Sequence, residues 1–146
     1  MRVGARLSAF GGKLAASVIA IAQTKAGLTF GDAFVRGILC NFLVCIAVWM
    51  ANAARTVGGK IAAVFFPIMA FVVAGFEHSV ANMYYLAAGL FTAGQTGAAA
   101  EGLTWGRALI GNLLPVTLGN LVGGGLLVGV SAWYLYLKKE INSVNS

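Results

Sequence analysis

Charged residues are rare along this chain and they punctuate long apolar runs. Gly37 to Ala54 carries no Asp, Glu, Lys, Arg or His over 18 residues. Ile61 to Phe76 is a second such run, of 16 residues. After Glu77 and His78 the chain is again uncharged from Ser79 to Ala100, and Ala108 to Leu137 adds a run of 30. A membrane-spanning helix needs about 20 apolar residues, within a range of about 17–25. The first run therefore predicts one span, and the last predicts a span with residues to spare.

The middle of the chain follows a different pattern. Residues 61–91 form one long apolar segment with Glu77 and His78 near its centre. A straight helix of that length would measure ~46 Å at 1.5 Å per residue, too long for a hydrocarbon core of ~30 Å. Pro67 and Gly75 both weaken helix. We therefore expect two half-helices with a non-helical break around Ala74–Ser79, together forming one broken span. Such a break is tolerated at membrane depth only where protein buries it or where it lines a wet cavity. Discontinuous helices of this kind recur at transporter substrate sites.

The pattern divides the chain into an N-terminal segment (1–28), a membrane domain (29–138) and a polar tail (139–146). LAASVIAIAQT, between Lys13 and Lys25, is too short to span and reads as an interfacial helix or as the end of a further helix. Thr29-x-x-Asp32 resembles a capping box with Asp in place of Glu, and is expected to start the helix through residues 37–54. Thr92–Gly106, rich in Gly, Ala and Thr, reads as a loop. The expected fold class is all-α and integral to the membrane, with three spanning segments.

Composition supports lipid as the solvent. Hydrophobic residues make up 60% of the chain and charged residues only 10%, against about 25% charged in soluble domains. Twenty glycines without a G-X-Y period exclude collagen, and the apolar content excludes disorder. The net charge of +6 does not point to nucleic acid, because the basic residues sit at the ends of apolar runs, where membrane proteins keep them. Arg55 and Lys60 follow the first run, and Lys138 and Lys139 follow the last. With three spans both pairs fall on one side, the cytoplasmic one. Arg2, Arg6, Lys13, Lys25 and Arg36 would then lie outside, a conflict that a further helix ahead of them resolves.

Few residues carry chemistry. No P-loop, zinc spacing or G-x-S-x-G motif is present. One histidine and four carboxylates make a metal site, a cofactor or an enzymatic role unexpected. Cys40 and Cys45 do not form C-x-x-C and read as buried thiols. His78 is the leading candidate, because an ionisable group inside a membrane segment is costly and imidazole exchanges protons near neutral pH. Glu77 is expected to accept hydrogen bonds from backbone N–H groups freed at the break. Asn41, Asn82, Asn112 and Asn120 are amides that bridge helices or line a polar path. Phe71, two turns before His78, either constricts a path on the same face or faces lipid. Gly119–Gly123 and Gly125–Gly129 are G-x-x-x-G pairs that permit close helix approach. Trp133, Tyr134 and Tyr136 read as an interfacial aromatic belt.

Three stretches, FVRGILCNFLVCIAVWMANAAR (34–55), FFPIMAFVVAGFEHSVANMYY (65–85) and NLLPVTLGNLVGGGLLVG (112–129), closely resemble the formate/nitrite transporter family, in unbroken order over roughly residues 20–138. The resemblance implies an aquaporin-like fold of six spanning helices in two inverted repeats, of which this chain matches the second. It implies homopentamers with one pore per protomer, passing small monovalent anions such as formate or nitrite, or their neutral acids, together with protons. It assigns His78 to the central pore histidine and Glu77 to its neighbour. Phe71 matches a pore constriction, Asn41, Val44 and Asn120 match pore-lining positions, and Lys25 in AQTKAGLTF matches a vestibule lysine. The expected setting is the plasma (inner) membrane, with the C-terminus cytoplasmic. The alternatives are a truncated, non-transporting fragment of such a channel, or a membrane anchor or assembly subunit.

Overall fold

The computed structural model describes residues 12–137. Part of the expected N-terminal segment, with Arg2 and Arg6, and the tail with Lys138 and Lys139 lie outside the described residues. Every regular element among them is helical: α1 (Lys13–Ala26), α2 (Phe30–Ala53), α3 (Val57–Val73), α4 (Ser79–Thr96) and α5 (Arg107–Tyr136). Two of these, α2 and α5, are long and apolar enough to cross a membrane, and α3 is a shorter apolar helix. Within α5 the turns are of wide π type over Arg107–Leu113 and Leu121–Val130, with an α-type stretch at Leu114–Asn120 between them.

Local chemistry explains where the helices begin and end. Thr29 caps α2: its Oγ1 accepts the Asp32 N–H at 3.1 Å and donates to Asp32 Oδ2 at 2.7 Å. The shorter Asp thus takes the hydroxyl proton in this variant of the capping box. Thr56 caps α3 in extended conformation, its Oγ1 accepting the Gly59 N–H at 3.0 Å. Pro67 lies inside α3, and the helix runs through it to Val73. Helix α4 continues to Thr96, five residues into the stretch read as loop. The buried Thr92 draws that stretch inward, and Gly97, at φ +67°, stops the helix. The connection before α5 is anchored as well. Gln23 Nε2 donates to the Glu101 carbonyl at 3.1 Å, and Leu103 is buried.

The chain packs as two units. Among the described residues, one holds 12–33 together with Ser79–Pro115; the other holds Phe34–His78 and 116–137. In the first, α1 lies along α4. Their core is Ala22, Ala26, Leu86, Leu103 and Ala108, with Leu90, Ala100 and Leu113 against it. Gly89 sits where a side chain would meet the Ala22 methyl, so the two helices close on small residues.

In the second unit α2 and α5 approach until backbone meets backbone. A Cβ on Gly119 would strike the Phe34 carbonyl, and one on Gly123 the Ile38 carbonyl. Gly124 faces Asn41 and Cys45 in the same way, and Gly37 faces the Val116 carbonyl from the other side. The second G-x-x-x-G pair has no such role. A Cβ on Gly125 would meet nothing within 4 Å, and one on Gly129 only the Gly124 carbonyl of its own helix. Identical chemical changes on one helix should therefore have opposite consequences. Gly119→Ala is expected to lower stability by roughly 1–3 kcal/mol through overpacking. Gly125→Ala should be neutral or slightly stabilising, because it removes a residue of poor helix propensity. Thermal unfolding in detergent compares the two directly, and equal effects would contradict the packing described.

Candidate functional site

The segment between α3 and α4 gathers most of the residues singled out in the sequence. Helix α3 ends in a Schellman motif. Gly75 takes φ +67°, its N–H donates to the Val72 carbonyl at 3.1 Å, and the Phe76 N–H donates to the Phe71 carbonyl at 3.0 Å. Glycine is needed at this position because the left-handed conformation costs other residues roughly 1–2 kcal/mol. The chain then leaves helical geometry through Phe76, Glu77 and His78 before α4 starts at Ser79.

Polar backbone groups in this segment find partners on α2 and α5. The Glu77 N–H donates to the Arg36 carbonyl at 3.4 Å, and Arg36 Nη1 donates to the Gly75 carbonyl at 3.4 Å. Asn120 Nδ2 donates twice, to the Glu77 carbonyl at 3.1 Å and to the Gly37 carbonyl at 2.9 Å. Asn41 Nδ2 in turn donates to the Asn120 carbonyl at 2.7 Å. Asn120 and Glu77 are buried. One carboxamide thus ties the break, the first turns of α2 and the middle of α5 together.

His78 stands at the end of this tied segment. Its ring lies 6.3 Å from the Phe71 ring, with the planes 31° apart. The side chain is half-buried. Its Nδ1 is fully buried and has no hydrogen-bond partner among the described residues. Phe71 is half-buried, and so is Val44, one turn beyond Asn41 on α2. The second unit thus holds Phe71, Glu77, His78, Asn41, Val44 and Asn120. Lys25 belongs to the first unit, where its Nζ lies 5.6 Å from the centre of the Tyr85 ring.

The bonds of Glu77 described above run through its backbone N–H and carbonyl. Of the four asparagines, Asn41 and Asn120 bridge within the second unit, and Asn82 and Asn112 bridge within the first, where Asn82 Nδ2 donates to Asn112 Oδ1 at 2.8 Å. Arg36 and Gly37 were not singled out as site residues. The signal for Gly37 was its place four residues before Asn41, which puts both on the face that α5 approaches. Arg36 was read only as a flanking charge, and no local pattern marks it as a donor to a distant carbonyl.

The central amide invites a direct test. Asn120→Leu would leave the Glu77 and Gly37 carbonyls without that donor. The expected cost is about 1–3 kcal/mol, with faster hydrogen exchange at residues 75–78 than at α1 and α4. Uniform exchange across the chain would show that the amide does not hold the break.

Comparison with known proteins places these features in context. A family model described as formate/nitrite transporter matches residues 2–134. The chain is 46% identical over 135 residues to a probable formate transporter of Methanothermobacter thermautotrophicus, covering 92% of this chain and 45% of that protein. It is 39% identical over 142 residues to the formate channel FocA of Escherichia coli K12, covering 88% of this chain and 49% of that one. Among solved structures, a pentameric formate channel with formate bound is similar at a TM-score of 0.80 and 38% identity, over 92% of this chain and 57% of that chain. An ion channel of the FNT family matches at a TM-score of 0.73 and 34% identity, over 90% and 52%. The chain thus spans about half the length of the curated relatives it matches.

Proposed function

This chain belongs to the formate/nitrite transporter family, and on that basis we propose that it serves the movement of small monovalent anions, formate or nitrite among them, across a membrane. The observation that carries this reading is the break at 74–78. Its backbone is tied by Arg36 and Asn120, and it ends on a histidine whose buried Nδ1 no described protein group occupies. A rigid polar turn beside an imidazole and a phenyl ring is suited to receive a small anion and to screen out larger ones.

The proposed mechanism follows from the cost of charge in an apolar passage. Taking a carboxylate out of water without compensation is expensive. A proton from or through His78 converts the weak-acid anion to its neutral form and lowers the barrier at Phe71. Lys25 draws the anion toward the vestibule beforehand, since an ammonium is a compact, strongly hydrated point charge. Asn41, Val44 and Asn120 line the path. In the two asparagines the backbone bonding described above fixes the direction of the amide.

In this reading α3, the break and α4 form one discontinuous third span beside α2 and α5. The similarity of this chain to a pentameric formate channel supports a homopentamer as the working assembly. The bilayer is the plasma membrane, and the C-terminal side is cytoplasmic, by the position of Arg55, Lys60, Lys138 and Lys139.

The test is uptake of labelled formate and of nitrite into proteoliposomes, with and without an acid-outside pH gradient. Uptake by the wild-type chain is expected to rise with the gradient. His78→Ala is expected to abolish uptake or remove its pH dependence. Uptake by His78→Ala that follows pH as the wild type does would contradict the role of His78. Absence of uptake by well-inserted wild-type chain would support the reading in which this polypeptide packs in the membrane without conducting.

A further inference from the structure

We propose that α3 carries a site for an anionic phospholipid: Lys60 holds the phosphate, and the apolar stripe from Ile61 to Met69 holds an acyl chain. The proposal rests on the reading of α3 as the half-span that runs from the membrane surface toward the break. Its ligand is distinct from the transported anion.

Helical spacing makes the stripe. Ile61, Val64, Phe65, Ile68 and Met69 follow one another at intervals of three and one, which sets them on one face of a helix. With Lys60 they line a groove of about 530 Å³. Ile61 is 64% exposed and Phe65 55% exposed. From Lys60 to Met69 the helix rises ~13.5 Å at 1.5 Å per residue. That is close to one leaflet, half of a hydrocarbon core of ~30 Å. The groove thus has the length of a chain that enters from one surface and stops short of the break.

Side-chain chemistry favours lipid over protein as the occupant. Apart from Lys60 the lining side chains are aliphatic, aromatic or thioether. An extended segment or a loop laid on them would leave its own backbone groups unpaired. Helices that approach one another in this protein do so on small residues, Gly119 and Gly123 against α2 and Gly89 against Ala22. The stripe contains none.

Charge selects an anionic headgroup. No Asp or Glu lies between Asp32 and Glu77, whereas Arg55 and Lys60 flank the start of α3. Both basic side chains are exposed, and among the described residues neither has an ion-pair partner. The positive end of the helix dipole adds to the same field. A Cβ on Gly58 would meet nothing within 4 Å, so this turn is open to a headgroup.

The experiment uses the full chain, with 13C-methyl methionine, in phosphatidylcholine nanodiscs. A small fraction of the lipid carries a nitroxide on its acyl chain, either as phosphatidylglycerol or as phosphatidylcholine. Met69→Leu and Met83→Leu identify two methyl signals. Met69 reports on the groove, and Met83, 53% exposed on α4, reports on bulk lipid. Spin-labelled phosphatidylglycerol is expected to broaden Met69 several-fold more than spin-labelled phosphatidylcholine does, and to broaden Met83 no more. Lys60→Gln should cut the excess at Met69 roughly five-fold, the factor for one basic residue at an anionic surface, and Lys60→Arg should keep it. Equal broadening of Met69 by both lipids shows bulk lipid only and overturns the site. An excess that Lys60→Gln leaves intact overturns it as well. A Met69 signal that neither lipid broadens, beside a broadened Met83, places protein over the stripe and also overturns the site. If neither methyl is broadened by either lipid, α3 and α4 lie outside the bilayer, and the reading of the span falls with the site.

Discussion

A helix that stops within an apolar environment leaves carbonyl and N–H groups that lipid cannot satisfy, and each costs several kcal/mol if left alone. The arrangement around residues 74–78 answers that constraint. The Schellman turn at Gly75 closes the end of α3 on itself. Asn120 supplies a donor to the Glu77 carbonyl, and Arg36 exchanges bonds with both Gly75 and Glu77. With the backbone satisfied from outside, His78 does not have to serve it. In the function proposed above, that leaves the imidazole to act on the proton and the anion.

The bonds of Asn120 in turn require a short distance between α2 and α5. A carboxamide on one helix reaches a carbonyl on another only when no larger side chain separates them. Gly119, Gly123 and Gly124 on α5 and Gly37 on α2 provide that approach. Their lack of side chains lowers helix propensity, so they act as packing surfaces at some cost to the helix itself. The first unit applies the same rule with Gly89 against Ala22 and buries its own amide pair, Asn82 and Asn112. In both units, small residues bring the helices close and asparagines fix their register.

Much of this was legible in the sequence because it depends on local pattern. The capping role of Thr29, the ending of α3 at Gly75 and the two long apolar helices follow from spacing and residue type over a few positions. The family resemblance read from three motifs agrees with the match over residues 2–134. What depended on distant partners was not legible. Two G-x-x-x-G pairs look alike on paper, and of these four glycines only Gly119 and Gly123 face another helix, a matter of where α2 lies. The extension of α4 to Thr96 turned on the burial of Thr92, a tertiary fact that a Gly/Ala/Thr composition conceals.

The account makes one central claim: the tied break presents His78 to a path that protons and small anions reach. His78 is the only histidine in the chain, so its imidazole nitrogens give an unobstructed 15N signal. The direct measurement is that signal, recorded on the chain in lipid bilayers without and with added formate. The account predicts that formate shifts its resonances. A ring that does not answer to formate would contradict it, and would leave His78 a packed side chain at the end of a well-satisfied turn.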